Sequence, residues 1–397
     1  MTDVMAKPRL SAGRRRLFAL VAVGALVAVG IAAAFTVNLG APPRTRTYFI
    51  AADEVEWDYA PSGMNRITGQ AFGTMESFVT AQGPDRIGKV YRKSVFREYT
   101  DSTFSQLKPR PAEWQHLGVL GPLLRGAVGD TIVVVFRNHT TYPASMHPHG
   151  VFYTKDSEGA GSSDGTSGGD VADDAVAPGG SFRYVWPIPE RAGPSHGEPS
   201  TALWMYHSHV NEELDVNAGL MGPLIVTRRD AARADGTPND VDRELVVAFY
   251  EFDENFSRHL DTNIKTYASK PASVNRAELF FWTPFGGSNF KESMNGFLFG
   301  HLDGLTMTQG ERVRWYLLAS TNFEVHAPHW HGNTVIANHM RTDVTSLTTM
   351  GMLVADMVPD NPGTWLFHCH VNVHQNAGMI AQYTVRPAGE SAAGAGR

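Results

Sequence analysis

Residues 129–150, "GDTIVVVFRNHTTYPASMHPHG", run from an alternating apolar strand through a polar loop to a His-x-His-Gly ending. Residues 310–332, "GERVRWYLLASTNFEVHAPHWHG", do the same at nearly the same spacing. A second pair of stretches follows each of these. "WMYHSHVNEELDVNAGLMGPLIV" (204–226) parallels "WLFHCHVNVHQNAGMIAQYTV" (365–385), each with Trp-x-x-His-x-His-Val, then Ala-Gly, then an apolar strand. The chain is one unit written twice. Short strands broken by Gly/Pro turns dominate, and no long amphipathic helix stands out, which is the pattern of an all-β sandwich. The expected organisation is two similar β-sandwich domains, about 46–230 and 241–388. Polar residues 228–243 would link them, residues 156–180 would form a long Gly/Ser/Asp-rich loop, and the tail 389–397 would be disordered.

The N-terminus has its own signature. Basic residues 7–16 precede the uncharged, Ala/Val/Gly-rich run 17–35, the order of an export signal, and that run is long enough to anchor in a membrane if it stays attached. Segment 1–45 is therefore expected to export the protein, leaving it secreted or anchored outside the cytoplasm. Residues 1–35 hold five Lys/Arg and one Asp of the chain's 34 basic and 40 acidic residues, so the remainder has 29 against 39 and a net charge of −10. Such an acidic surface excludes a nucleic-acid footprint. One cysteine in an exported chain precludes an intramolecular disulfide, so the thiol needs another explanation.

Four His-x-His pairs occur, His147/His149, His207/His209, His329/His331 and His368/His370. In a strand, residues i and i+2 share a face, so each pair aims two imidazoles the same way. Any one pair could be ordinary hydrogen-bonded histidines. Four pairs at matching places in a duplicated unit point to metal, and eight imidazoles exceed the four ligands of one tetrahedral zinc. Several copper, zinc or iron ions sharing them fit better.

The lone Cys369 sits between His368 and His370, with His374 and Met379 downstream and His326 three residues before His329. Alone, a buried Cys is an inert small hydrophobe and a Met is packing. Together, two His, one Cys and an axial Met describe a blue-copper electron-transfer site. The repeat supplies a control: Ala144 stands in the place of His326, and Ser208 in that of Cys369. One blue site per chain is expected, in the second half.

These motifs resemble the multicopper oxidases, whose four copper segments appear in order as "HPHG", "YHSH", "HAPHWHG" and "HCHVNVHQNAGM". The resemblance implies cupredoxin-like Greek-key domains and four coppers per chain. His326, Cys369, His374 and Met379 would hold type 1 copper, and His147 and His329 type 2. His149, His207, His209, His331, His368 and His370 would hold the type 3 pair. The activity implied is one-electron oxidation of a reducing substrate coupled to four-electron reduction of O2 to water. Cys369, His368 and His370 would form the electron path.

"REYTDSTF" (97–104) and "MNGFLFGHLDGLTM" (294–307) look like ceruloplasmin-type sequences, while the two-domain layout resembles small bacterial laccases. In such two-domain members the trinuclear cluster forms between subunits of a homotrimer, which becomes the expected assembly. The first group favours ferrous iron as donor, with Glu324 and Glu292 as candidate iron ligands; the second favours phenols. Asp173 and Asp174 resemble a calcium-binding segment, against the plainer reading of a solvated acidic loop. Glu212 and Glu213 stand near where relatives place a proton-delivering acid, Asn211 occupying the usual position itself. Two alternatives stay open: a copper nitrite reductase-like enzyme, which would resemble a chain with its blue-site cysteine in the first domain, and a non-enzymatic copper-binding protein.

Overall fold

The computed structural model describes residues 42–275, 283–319 and 325–389. The apolar run 17–35 expected to direct export, the acid Glu324 and tail residues 390–397 lie outside that set. No helix among the described residues is long and apolar enough to cross a membrane.

The first half contributes β1 (Thr45–Asp58), a small hairpin of β2 (Met64–Asn65) and β3 (Gln70–Ala71), then β4 (Val90–Tyr99), β5 (Leu124–Ala127) and β6 (Thr131–Asn138). It continues with β7 (His147–Pro148), β8 (Ser181–Pro187), β9 (Thr201–His207) and β10 (Met221–Thr227). The second half contributes β11 (Arg243–Asp253), β12 (Phe290–Met294), β13 (Thr306–Thr308), β14 (Val313–Ala319) and β15 (Pro328–Trp330). It closes with β16 (Val335–Ala337), β17 (Met340–Thr342), β18 (Met352–Met357), β19 (Gly363–Cys369) and β20 (Ile380–Arg386).

Each half pairs a sheet built on its first long strand with a sheet carrying its His-x-His strands. The first half has orders β4-β1-β6-β8 and β5-β10-β9-β7; the second has β12-β11-β14-β18-β16-β17 and β13-β20-β19-β15. The repeat holds pair by pair. β1 runs parallel to β6 as β11 does to β14, and β5 parallel to β10 as β13 does to β20. The histidine strands pair antiparallel, β7 with β9 and β15 with β19. The second half differs by the added β16–β17 hairpin. Both halves are all-β sandwiches of the expected class.

Among the described residues, three cores hold the protein together. One lies inside the first sandwich, around Ile132, Val134, Phe136, Tyr184 and Trp186. Another lies inside the second, around Trp315, Trp330, Phe367 and Cys369. The third joins the halves, bringing Tyr59, Tyr91, Leu120 and Ile225 against Val246, Tyr250, Phe252 and Tyr316. That shared core explains why β14 is buried at all seven positions: one face fills its own sandwich and the other meets the first half. The described residues accordingly form one compact unit.

Buried charge reinforces the junction. Lys93 of the first half donates to Glu254 of the second at 2.5 Å, both side chains fully buried, and the Tyr59 hydroxyl donates to the same carboxylate oxygen at 2.6 Å. Lys291 Nζ donates to the carbonyls of Val79 (2.5 Å), Gly88 (2.9 Å) and Ser288 (2.6 Å), tying the segment before β4 to the second half.

Segment 228–243 is better packed than a free linker. Ala231 and Ala232 are buried, Thr227 Oγ1 donates to Gly236 O at 2.6 Å, and Arg46 Nη1 donates to Asp235 O at 2.7 Å. Its carbonyls serve as acceptors for the first sandwich, so it cannot swing away without orphaning those donors.

Candidate metal centres

The end of β19 and the loop before β15 build a site centred on the Cys369 sulfur. Cys369 Sγ lies 3.5 Å from His374 Nδ1 and 3.9 Å from His326 Nδ1, and the two imidazole rings are 5.1 Å apart. All three ligand-bearing atoms lie within 4.8 Å of one another. Paired backbone bonds between His326 and Leu347 hold the first imidazole, and Phe249 packs 5.9 Å from its ring. Met379 is fully buried beside Cys369; its carbonyl accepts from Cys369 N at 3.1 Å. Burial, reinforced by His374, pushes the His326 imidazole down to about 3, so it stays neutral and its nitrogens stay available.

Strand register assembles the histidine sets. His147 sits directly opposite His207 across β7 and β9, and His329 directly opposite His368 across β15 and β19. His149 Nε2 and His207 Nε2 come within 3.1 Å, and His331 Nε2 and His368 Nε2 within 3.0 Å. His209 closes on the first set, its ring 5.2 Å from His147, and His370 on the second, 5.0 Å from His329. The recorded ring contacts stay within each set of four; among the described residues none joins the sets. Burial lowers His207 to about 3 and His149 to about 4, and it lowers His147, His329 and His368 as well. His207 and His368 each engage a backbone carbonyl through Nδ1, at Ser208 (3.1 Å) and Cys369 (2.9 Å), which leaves Nε2 facing its set.

The glycine ending each His-x-His-Gly has a geometric cause. Gly150 and Gly332 have φ of +76° and +73°, and a Cβ would fall 2.2 Å from Trp204 and 2.5 Å from Trp365. The indoles of the second motif lie flat against the backbone of the first, locking the two histidine pairs together.

Two carboxylates border these sets. Glu212 Oε2 lies 3.6 Å from His209 Nε2 and its Oε1 4.0 Å from His207 Nε2, whereas Glu213 is exposed. Asp343 Oδ2 lies 3.8 Å from His329 Nε2. Asp343 was not legible in the sequence, because an isolated bridge between His329 and Val344 carries it there. Asn211 caps the following helix (Glu212–Ala218), accepting from Leu214 N at 3.2 Å.

The remaining expectations resolve individually. Glu292 is buried rather than on the surface; it faces Glu251 across β12 and β11, and its carbonyl lies against Gly378 beside the thiolate site. Asp173 is fully buried, accepts from Gly159 N at 2.6 Å through Oδ2, and has no partner at Oδ1. Burial raises its pKa, and that of Asp174 is raised too. Four histidines without a metal role have hydrogen-bond partners: His116 with Val246, His139 with Asp53, His259 with Ser94 and His301 with Ser62.

Comparison with known proteins gives consistent results. Sequence models of the multicopper oxidase family match residues 114–231 and 275–389. The chain is 43% identical over 345 residues to human "Ferroxidase HEPHL1", covering 86% of this chain and 29% of that protein. It is 43% identical to rat hephaestin over the same shares, and 39% identical to sheep ceruloplasmin, covering 87% of this chain and 33% of the relative. The chain thus spans about a third of the length of these curated relatives. A multicopper oxidase crystal structure aligns at a TM-score of 0.54 with 18% identity, covering 86% of this chain and 89% of that one. The blue copper oxidase of Nitrosomonas europaea aligns at 0.52 with 18% identity and 86% of each chain.

Proposed function

Because the chain belongs to the multicopper oxidase family, we propose that it oxidises a one-electron donor at a type 1 copper and reduces O2 to water at a trinuclear copper cluster. The thiolate–imidazole site carries this reading, since Cys369 and its two covalent neighbours belong to different ligand sets. Fit to the metal is supported by the donors themselves. His326 Nδ1 and His374 Nδ1 converge on the buried Cys369 Sγ, and the shifted imidazoles are held neutral, as ligands must be.

His326, Cys369, His374 and Met379 would hold type 1 copper, His147 and His329 type 2, and the other six histidines the type 3 pair. Copper so held supplies one-electron redox steps at the thiolate site and the capacity to pass four electrons to O2 at the cluster. The polypeptide supplies the wiring and the protons. Cys369 and His368 are adjacent residues, further joined by the bond between His368 Nδ1 and Cys369 O, so the route between sites is a few covalent bonds. Glu212 and Asp343, beside His209 and His329, would hold the protons that water formation consumes.

Among the described residues no ring contact joins the two four-histidine sets, which supports a cluster completed between copies, with three copies closing a ring. The donor we favour is ferrous iron. Its support is the buried Glu292–Glu251 pair near the type 1 loop, together with the ferroxidases among the relatives. The unpartnered Asp173 oxygen, with Asp174 nearby, supports calcium in the first half. The run 17–35 supports an extracytoplasmic location.

The test is to measure metal content, blue absorption and O2 uptake with Fe(II) and with a phenol. Four coppers per chain, a blue band and faster turnover of Fe(II) are expected. A colourless chain, or one active only on phenols, would overturn the oxidase and iron proposals respectively.

A further inference from the structure

The first half retains the frame of the blue site without its ligands. Ser208 N donates to Leu220 O at 3.1 Å, as Cys369 N does to Met379 O at 3.1 Å. Leu220 N donates to Asp215 O at 3.0 Å, as Met379 N does to His374 O at 2.9 Å. Ser145 N donates to Ser208 Oγ at 3.1 Å, as Ala327 N does to Cys369 Sγ at 3.4 Å. Bond for bond, Ser208 stands for Cys369, Asp215 for His374 and Leu220 for Met379, and all three are fully buried.

What fills the site is a charge network. Ser208 Oγ donates to Asp215 Oδ2 at 2.8 Å, and Asn211 N donates to the same oxygen at 3.1 Å. Asp215 Oδ1 accepts from Arg258 Nε at 2.6 Å. Arg258 belongs to the second half, following β11. Its guanidinium also lies 4.9 Å from the Tyr142 ring, and its backbone N–H points to Leu214 O at 3.4 Å. Ser145 extends the network, since its hydroxyl accepts from His209 N at 3.0 Å and donates to Gly159 O at 2.6 Å.

We infer that Arg258 and Asp215 are positioning residues for the first half's cluster ligands, acting through Ser208. This rests on the copper reading above. Ser208 projects from the face of the strand opposite His207 and His209, so fixing its hydroxyl sets how both imidazoles are presented. In the second half a metal would tie the corresponding cysteine to its histidine. Here a carboxylate and a guanidinium make the tie. A fully buried carboxylate without a counter-charge is strongly disfavoured, so this anchor is complete only when the second half delivers Arg258. One half therefore governs the ligand geometry of the other.

The test uses the full copper-loaded chain and the variants Arg258→Met, Arg258→Lys and Ser208→Ala, read by copper per chain, blue absorption and thermal unfolding. Loss of such a supporting contact weakens metal affinity about 10- to 100-fold. Arg258→Met and Ser208→Ala are expected to shed cluster copper to that degree while blue absorption per chain persists, and Arg258→Lys to recover most of it. A folded Arg258→Met or Ser208→Ala protein with full cluster copper overturns the inference. So does parallel loss of blue and cluster copper, which would mark a general structural role. If Arg258→Met does not fold, Ser208→Ala decides by the same two readouts. A wild-type chain that binds only the blue copper refutes the cluster reading itself, and the inference falls with it.

Discussion

Cys369 Sγ lies 3.5 Å from Nδ1 of His374, five residues along the chain, inside the apolar core of the second sandwich. The helix Asn372–Ala377 makes the approach, turning the chain back so that His374 meets the strand it has just left. A thiol and an imidazole brought together in an apolar core, with a second imidazole 3.9 Å from the sulfur, are the arrangement that the proposed type 1 site requires.

Substituting Cys369→Ser should therefore abolish blue absorption and O2 uptake. The lost copper should be one per chain, with the cluster histidines still loaded. Stability should fall by about 1–3 kcal/mol, since the serine hydroxyl is buried in an apolar core. Metal analysis beside an absorption spectrum checks this, and a blue serine variant would refute the assignment.

The Lys93–Glu254 pair should be costly to break. Both groups are fully buried at the junction of the halves, so Glu254→Leu alone leaves a buried ammonium and should destabilise by about 3–5 kcal/mol. Lys93→Met combined with Glu254→Leu should recover much of that loss. Denaturant unfolding of the single and double variants measures the difference.

Gly332→Ala combines two penalties, a left-handed backbone and a Cβ 2.5 Å from the Trp365 ring. A loss of about 1–3 kcal/mol is expected from overpacking and strain. Because His331 precedes this glycine, cluster copper should fall as well, which metal analysis would show.

Acid should destabilise the metal-free protein. The folded pKa values of His326, His207 and His149 lie near 3, 3 and 4, below the ordinary 6.5. Between those limits the unfolded chain binds more protons, so stability rises with pH there and is lost on acidification from about 6.5 downward. Asp253, raised by burial to about 6, opposes the trend over part of that range. Thermal unfolding of metal-free wild type between pH 7 and 5 should show the decline, and His326→Phe should flatten it.

Glu292→Gln tests the donor. Turnover of Fe(II) should drop about tenfold or more, by loss of one charged ligand, while turnover of a phenol changes little. Equal losses on both substrates would remove Glu292 from iron binding.

Much of this was legible in the sequence because the chemistry is local. His-x-His on a strand forces two imidazoles onto one face, Cys369 between His368 and His370 forces the thiol to the other, and duplication marks both halves with the same frame. Substitution of Ala144 and Ser208 for the blue-site ligands could be read by aligning one half with the other. Asp343, the buried Glu292, the packed segment 228–243 and the all-round burial of β14 could not, since each depends on a neighbour far along the chain.

What the sequence determined by itself was the strand-level ligand pattern, since a period of two needs no tertiary information. Only the tertiary structure decided where the two histidine sets fall, which carboxylates border them, and that Arg258 of one half neutralises Asp215 of the other. The physical reason is that burial and charge pairing are properties of surfaces brought together, so that Asp215 becomes a fixed, costly charge once the second sandwich closes over it.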